Sequence, residues 1–255
     1  MKTRICMQNF FDTNNFCIYL LFSLIFTFTF IFFESDAEAI LYDFNNGKAD
    51  GWVVKAGTWE VKDGIYQMPK EVNTAPYPLT FALEGREFGE FTIEAKIRND
   101  KFHSSMNQSH DGFAFGIDGK DSGYVLYFRH HKGLTGTGGS LVLRWMVENV
   151  KGGFNPNADV AEGANVFDAN DLGNWHVLKA EISNKNKTLK AWVDGIQSLD
   201  VKLSESASGK IGLWAADIGA ASFDDISING LGIPANAVYP NSKLSTKWGI
   251  IKAEY

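Results

Sequence analysis

From Ile40 onward the chain alternates apolar and polar residues with a period of two. In FGEFTIEAKIR the residues Phe91, Ile93, Ala95 and Ile97 fall on one side, and Glu94, Lys96 and Arg98 on the other. Such alternation marks a strand with one buried and one wet face. Trp175–Gly195 repeats the pattern twice around a polar turn: Leu178, Ala180 and Ile182 in, Lys179 and Glu181 out, then Leu189, Ala191 and Val193 in, Lys190 and Trp192 out. GFAFGI sets Phe113, Phe115 and Ile117 against Gly112, Ala114 and Gly116. YVLYFRH, LVLRWMVE, KIGLW and ASFDDISING continue the theme, and ILYDF opens it. Lys62-Asp63-Gly64 and Asp194-Gly195 are tight-turn signals between such runs. No segment of the domain sustains a helical period. Many half-wet strands without helices to cover them must bury their apolar sides against another sheet. The pattern predicts an all-β fold, a two-sheet antiparallel jelly-roll β-sandwich.

The ends qualify that picture. Residues 1–39 begin with Lys2 and Arg4, run uncharged from Phe16 to Phe33, and finish Ala37-Glu38-Ala39. This is the layout of a secretory signal peptide cleaved before Ile40, which predicts a secreted, periplasmic or cell-surface protein. Left uncleaved, the apolar run is long enough to cross a bilayer core of about 30 Å. Residues 40–230 then suit one domain, and 231–255 form a C-terminal extension. Both cysteines, Cys6 and Cys17, lie in the leader, so the mature domain has no disulfide and no thiolate chemistry. The formal net charge of −6, with no basic cluster, argues against a nucleic-acid partner. Val150–Asn174 has little pattern and reads as a long loop. In the extension, Trp248, Ile250 and Ile251 are too apolar for a plain linker; they either pack back on the domain or dock on a protein partner.

Four stretches carry a family likeness: LYDFNNGKADGWVVKAGTWEVKDG, GFAFGIDGKDSGYVLYFR, WHVLKAEISNKNKTLKAWVDG and GKIGLWAADIGAASFDDISI. In order and spacing they resemble the concanavalin A-like lectin/glucanase superfamily in its bacterial secreted, laminin-G-like form, from about Leu41 to Asn229. The resemblance implies the jelly-roll sandwich already predicted. It also implies a broad range of functions: glycan binding, protein binding, or hydrolysis of polysaccharides and disaccharides, among which a fold does not choose.

Chemistry narrows the range. Glucanases of the superfamily carry a Glu-x-Asp-x-x-Glu strand, and retaining enzymes need their carboxyl groups about 5–5.5 Å apart. That signature is absent: Glu90 and Glu94 lack the intervening acid, and the adjacent Asp224 and Asp225 are expected on opposite faces of a strand. A non-catalytic carbohydrate-binding role is therefore the primary reading, with a glycoside hydrolase and a laminin-G-type adhesion module as alternatives. Strand parity turns Tyr127, Arg129, Arg144, Trp192 and Trp214 away from the core, over a shallow floor of Gly112, Ala114 and Gly116. Rings supply apolar plates and guanidinium groups supply forked donors, the usual ingredients of a sugar platform; the competing reading has these aromatics packed at the rim or under the long loop. In the superfamily the first and last strands are neighbours, and a structural calcium often sits near them. Asp43, Asp224 and Asp225 would supply part of the six to eight oxygens that Ca²⁺ takes; the bland alternative has them bonding nearby backbone. His130 and His131 are expected on opposite faces, His103 and His110 in a polar loop, and His176 toward the core, so no zinc spacing arises.

Overall fold

A computed structural model of the chain describes residues 39–131, 139–148, 159–167 and 171–233. Residues 1–38 of the predicted leader and residues 234–255 of the predicted extension, with Trp248, Ile250 and Ile251, lie outside the described residues, as do 150–158 and 168–170 of the predicted loop. Sixteen strands account for the described fold. They are β1 (Ile40–Tyr42), β2 (Val53–Ala56), β3 (Glu60–Lys62), β4 (Ile65–Met68), β5 (Leu79–Phe81), β6 (Glu87–Phe88), β7 (Glu90–Phe102) and β8 (Gln108–Ile117). The second half comprises β9 (Gly123–His131), β10 (Gly139–Met146), β11 (Asp159–Phe167), β12 (Trp175–Ser183), β13 (Thr188–Val193), β14 (Ile196–Lys202), β15 (Gly209–Ala216) and β16 (Ile218–Gly230). Among the described residues the single helical element is a 3₁₀ turn at Leu83–Gly85.

The strands form two eight-stranded antiparallel sheets. The first runs β14-β13-β12-β7-β16-β4-β3 with β1 beside β16; the second runs β11-β10-β9-β8-β15-β5-β2 with β6 beside β15. The chain is an all-β jelly-roll sandwich, as the alternation predicts. Phe91, Ile93, Ala95 and Ile97 of β7, with Leu178, Ala180 and Ile182 of β12, meet Phe113, Phe115, Leu126, Phe128 and Leu141 of the second sheet in one buried core. Burying side chains of this size contributes about 1.5–3 kcal/mol each, which drives the sheets together. At one edge Phe44, Trp52, Trp59 and Tyr66 pack ring to ring, with centroids 5.1–6.3 Å apart. The two tight turns form as expected: Asp63-Gly64 and Asp194-Gly195 both have positive φ, the type I′ geometry that matches strand twist.

Three expectations are corrected. The patternless Val150–Asn174 contains a strand, β11, paired with β10 through a broken register. Small residues at Ala161, Gly163 and Ala164 hide its alternation, and the irregular register spoils what periodicity is left. Ile117 leaves the inter-sheet core for the cluster on the outer side of the second sheet. Gly116 takes a left-handed φ of 62° and the β8–β15 register slips between Lys210 and Gly212, so parity inverts at that point. Asp224 and Asp225 are not split across a regular strand. A register shift between Asp224 and Ser227, with Asp225 at φ 47°, brings both within the electrostatic reach of Lys96.

Candidate functional site

Four of the five predicted site residues share one surface, the outer face of the second sheet. The register lays them out in rows. One row crosses Glu162 (β11), Val142 (β10), Tyr127 (β9), Gly112 (β8), Trp214 (β15) and Leu79 (β5). The next crosses Ser140, Arg129, His110 and Ala216. Arg144 lies in the row on the other side, opposite Val125 and Ala114. Gly112 is required between the two rings, since a Cβ there would come within 2.1 Å of the Leu126 carbonyl oxygen. With no side chain in the gap, Tyr127 and Trp214 lean together at 5.3 Å between centroids, and Tyr77 meets Trp214 edge-on at 5.9 Å.

Polar groups frame these rings. Arg129 donates through Nη2 to the Tyr127 hydroxyl at 3.2 Å and through Nη1 to Glu162 Oε2, also at 3.2 Å. The Ser140 hydroxyl donates to the other oxygen of Glu162. On the opposite flank, Asp217 Oδ2 accepts from Gln108 Nε2 at 3.2 Å and lies 3.5 Å from His110 Nδ1. The His110 ring stands 5.1 Å from Tyr127 and 6.3 Å from His131. Burial holds both imidazoles below their ordinary range; for His110 this outweighs the opposing pull of Asp217, and for His131 the nearby Arg129 adds to it. At neutral pH the face therefore carries two guanidiniums, Arg129 and the buried Arg144, the two acids Glu162 and Asp217, and two neutral imidazoles, a mixture of donors and acceptors.

The structure departs from expectation in two respects. Tyr127, Trp214 and Arg144 are 0, 1 and 4 % exposed rather than open to solvent. Part of the cover comes from the segment between β4 and β5, which lays Val72, Ala75 and Tyr77 along this side and ties Val72 to Ile218. The accessible edge is polar: Glu162 is exposed and Arg129 partly so. Trp192 does not join the others. It lies on the outer face of the first sheet, where Lys179 Nζ sits 5.2 Å from its ring. Strand parity separates inward from outward positions but does not say to which sheet a strand belongs.

His110, Tyr77, Glu162, Asp217 and Gln108 were not singled out from sequence. His110 is a strand residue, not a loop residue, and extending the Gly112/Ala114 parity back by two positions identifies it. Glu162 was hidden with β11, and Asp217 sits in the tight β15–β16 turn, where no period exists.

The predicted calcium ligands are near one another but engaged. Asp225 pairs with Lys96 Nζ at 2.6 Å, Asp224 Oδ1 accepts the Asp225 N–H at 2.8 Å, and Asp43 Oδ1 accepts the Asn45 N–H at 3.3 Å. Burial, the largest influence, raises the Asp224 carboxyl above its ordinary range. An ammonium already supplies the charge that calcium would bring, so these side chains do not fit a Ca²⁺ site as they stand. Among the described residues, no three His, Cys, Asp or Glu side chains gather as a metal site.

A second polar group lies inside the sandwich, beneath this face. Asn99 Nδ2 and His130 Nδ1 are 3.3 Å apart, with the buried Ser109 opposite His130 across β8–β9 and Asp111 two residues along. Neither oxygen of Asp111 has a hydrogen-bond partner among the described residues. Burial first, and Asp100 second, push the Asp111 carboxyl up to about 8; burial first, and His176 second, push His130 down to about 4. Both side chains are thereby kept neutral in the interior near pH 7.

Among the described residues, Glu162 and the buried Asp217 are acids at this face, and both are engaged: Arg129 on β9 donates to Glu162 and Gln108 on β8 donates to Asp217.

No protein-family model matches the sequence, and no curated protein matches it. Solved structures do match in fold. Carbohydrate binding module CBM66 from Bacillus subtilis superposes with a TM-score of 0.52 at 18 % identity, covering 70 % of this chain and 95 % of that one. The metal-free carbohydrate recognition domain of Emp46p superposes with a TM-score of 0.53 at 13 % identity, covering 75 % and 95 %. Xylan beta-1,4-xylosidase from Bacillus halodurans C-125 matches at a TM-score of 0.51 and 12 % identity, over 77 % of this chain and 40 % of its own length. What the chain has in common with these proteins is the jelly-roll sandwich.

Proposed function

We propose that this protein is a secreted, non-catalytic carbohydrate-binding module that holds a glycan at the outer face of its second sheet. The observation that carries this reading is the convergence of Tyr77, Tyr127 and Trp214 with Arg129, Glu162 and His110 on one sheet face. The named binding functions of the carbohydrate module and the recognition domain with the same fold support it. In this reading the hydroxyls of the sugar bond to Arg129 and Glu162 at the open edge, while the ring cluster beneath fixes the position of the guanidinium. The non-catalytic part is supported by the absence of a Glu-x-Asp-x-x-Glu strand from the sequence.

Amide-shift mapping by NMR tests the proposal. Short oligosaccharides of glucose, xylose and fructose are titrated into the labelled protein. Shifts concentrated in residues 108–112, 127–131, 140–144 and 214–217 are expected. Specific binding with none of its shifts on this face would refute the assignment.

A further inference from the structure

The outer face of the first sheet carries a groove with a volume of about 360 Å³. Its floor is a regular grid set by register. Lys190, Glu181, Thr92 and Asn229 form one row across β13, β12, β7 and β16. Thr188, Ser183 and Glu90 form the row beside it. The long row spans three strand spacings, roughly 14 Å, and the two rows are roughly 7 Å apart.

The chemistry of the lining selects the ligand. Both signs of charge are present and mostly engaged: Glu181 pairs with Lys179 at 3.2 Å, Lys190 lies 3.9 Å from Asp200, and Glu90 Oε1 accepts the backbone N–H of Lys185 at 2.7 Å. A polyanion meets two carboxylates here and a polycation meets two lysines, so neither is favoured. Thr92, Thr188, Ser183 and Asn229 each donate and accept, and the carboxylates keep free lone pairs for paired hydroxyls. One row further along, opposite Lys179, stands Trp192 with its ring partly exposed. Amphiprotic groups in a groove bordered by an aromatic plate match a neutral, hydroxyl-rich ligand.

We propose that this groove is a second saccharide site, on the opposite side of the sandwich from the first, which makes the module bivalent. The proposal shares with the functional reading its ligand class, and rests on it to that extent. Two sites on opposite faces hold two glycan chains at once and raise avidity for a polysaccharide matrix.

The test is affinity electrophoresis of the full chain in gels containing xylan, mannan, levan or β-glucan. The variants are Glu181→Ala/Trp192→Ala in the groove, Arg129→Ala on the second sheet, and Trp192→Phe as the conservative change. Thermal melts check the fold of each. The expected result is that the groove double variant weakens retardation about threefold or more, the scale of one lost ring contact, that Trp192→Phe retains it, and that adding Arg129→Ala removes the remainder. Full retardation of a folded groove variant, with loss in Arg129→Ala, would overturn the second site and leave the first standing. Loss in the groove variant alone supports the groove and overturns the first site. Wild-type protein retarded by none of the four polysaccharides overturns both.

Discussion

Asp111 makes the energetics of the interior measurable. Its ordinary pKa of 3.8 rises to about 8 in the fold, while that of His130 falls from 6.5 to about 4. The sign of each effect follows from proton counting. Between pH 4 and 8 the folded state holds a proton on Asp111 that the unfolded chain lacks, so this group lowers stability as pH rises. Between pH 4 and 6.5 the unfolded chain holds a proton on His130 that the folded state lacks, so this group raises stability as pH rises. Each contributes about 1.36 kcal/mol per pH unit within its window. The two slopes cancel from pH 4 to 6.5, and only Asp111 acts from 6.5 to 8. Asp111→Asn is isosteric with the protonated acid and cannot ionise. Its stability relative to wild type should therefore grow by about 2 kcal/mol between pH 6.5 and 8. For a domain of this size that corresponds to roughly 4–8 °C in melting temperature. The assay is thermal unfolding of both proteins across pH 5–8.5, followed by circular dichroism. A melting-temperature difference that stays constant from pH 6.5 to 8 would refute the reasoning.

Further outcomes follow from other contacts. His130→Gln should grow more stable relative to wild type as pH falls from 6.5 to 4, by about 3 kcal/mol in all; a flat difference in urea midpoints over that window contradicts it. Gly112→Ala should destabilise by about 3 kcal/mol, because its methyl group meets the Leu126 carbonyl; an unchanged denaturation midpoint would show that the strands yield more easily than the packing implies. Phe113→Ala, in the middle of the core, should cost about 3–5 kcal/mol, measured in the same titration. Glu162→Gln keeps the Arg129 contact but removes its charge, so glycan binding should weaken while the melting temperature holds within a degree or two; equal binding by calorimetry would remove Glu162 from the site.

Much of the fold was legible because each central strand has one wet side. The parity of Phe91 to Ile97 and of Leu178 to Ile182 named the core residues directly, and Asp63-Gly64 and Asp194-Gly195 named their turns. Legibility failed where backbone geometry departs from a plain pleat. Gly116 inverted Ile117, the shift after Asp224 put two acids near one lysine, and the irregular β11 read as a loop. The site was half legible for a related reason. Parity turned Tyr127, Arg129, Arg144 and Trp214 outward, but it could not show that a neighbouring segment lies along them, nor that Trp192 belongs to the other sheet. Those facts depend on strand order, which is set by long-range pairing and leaves no local period. Asp217 and Tyr77 join the face from a turn and from the end of a connection, where side-chain direction follows tertiary packing alone.

The central claim is that this sandwich binds glycan through the edge formed by Arg129 and Glu162. It is tested most directly by incubating the purified protein and its Arg129→Ala variant with a panel of insoluble and immobilised polysaccharides and measuring the bound fraction. The account predicts selective retention of the wild type by some glycans and not others, with retention reduced in the variant at unchanged melting temperature. Equal retention of both proteins, or none of either across the panel, would contradict it.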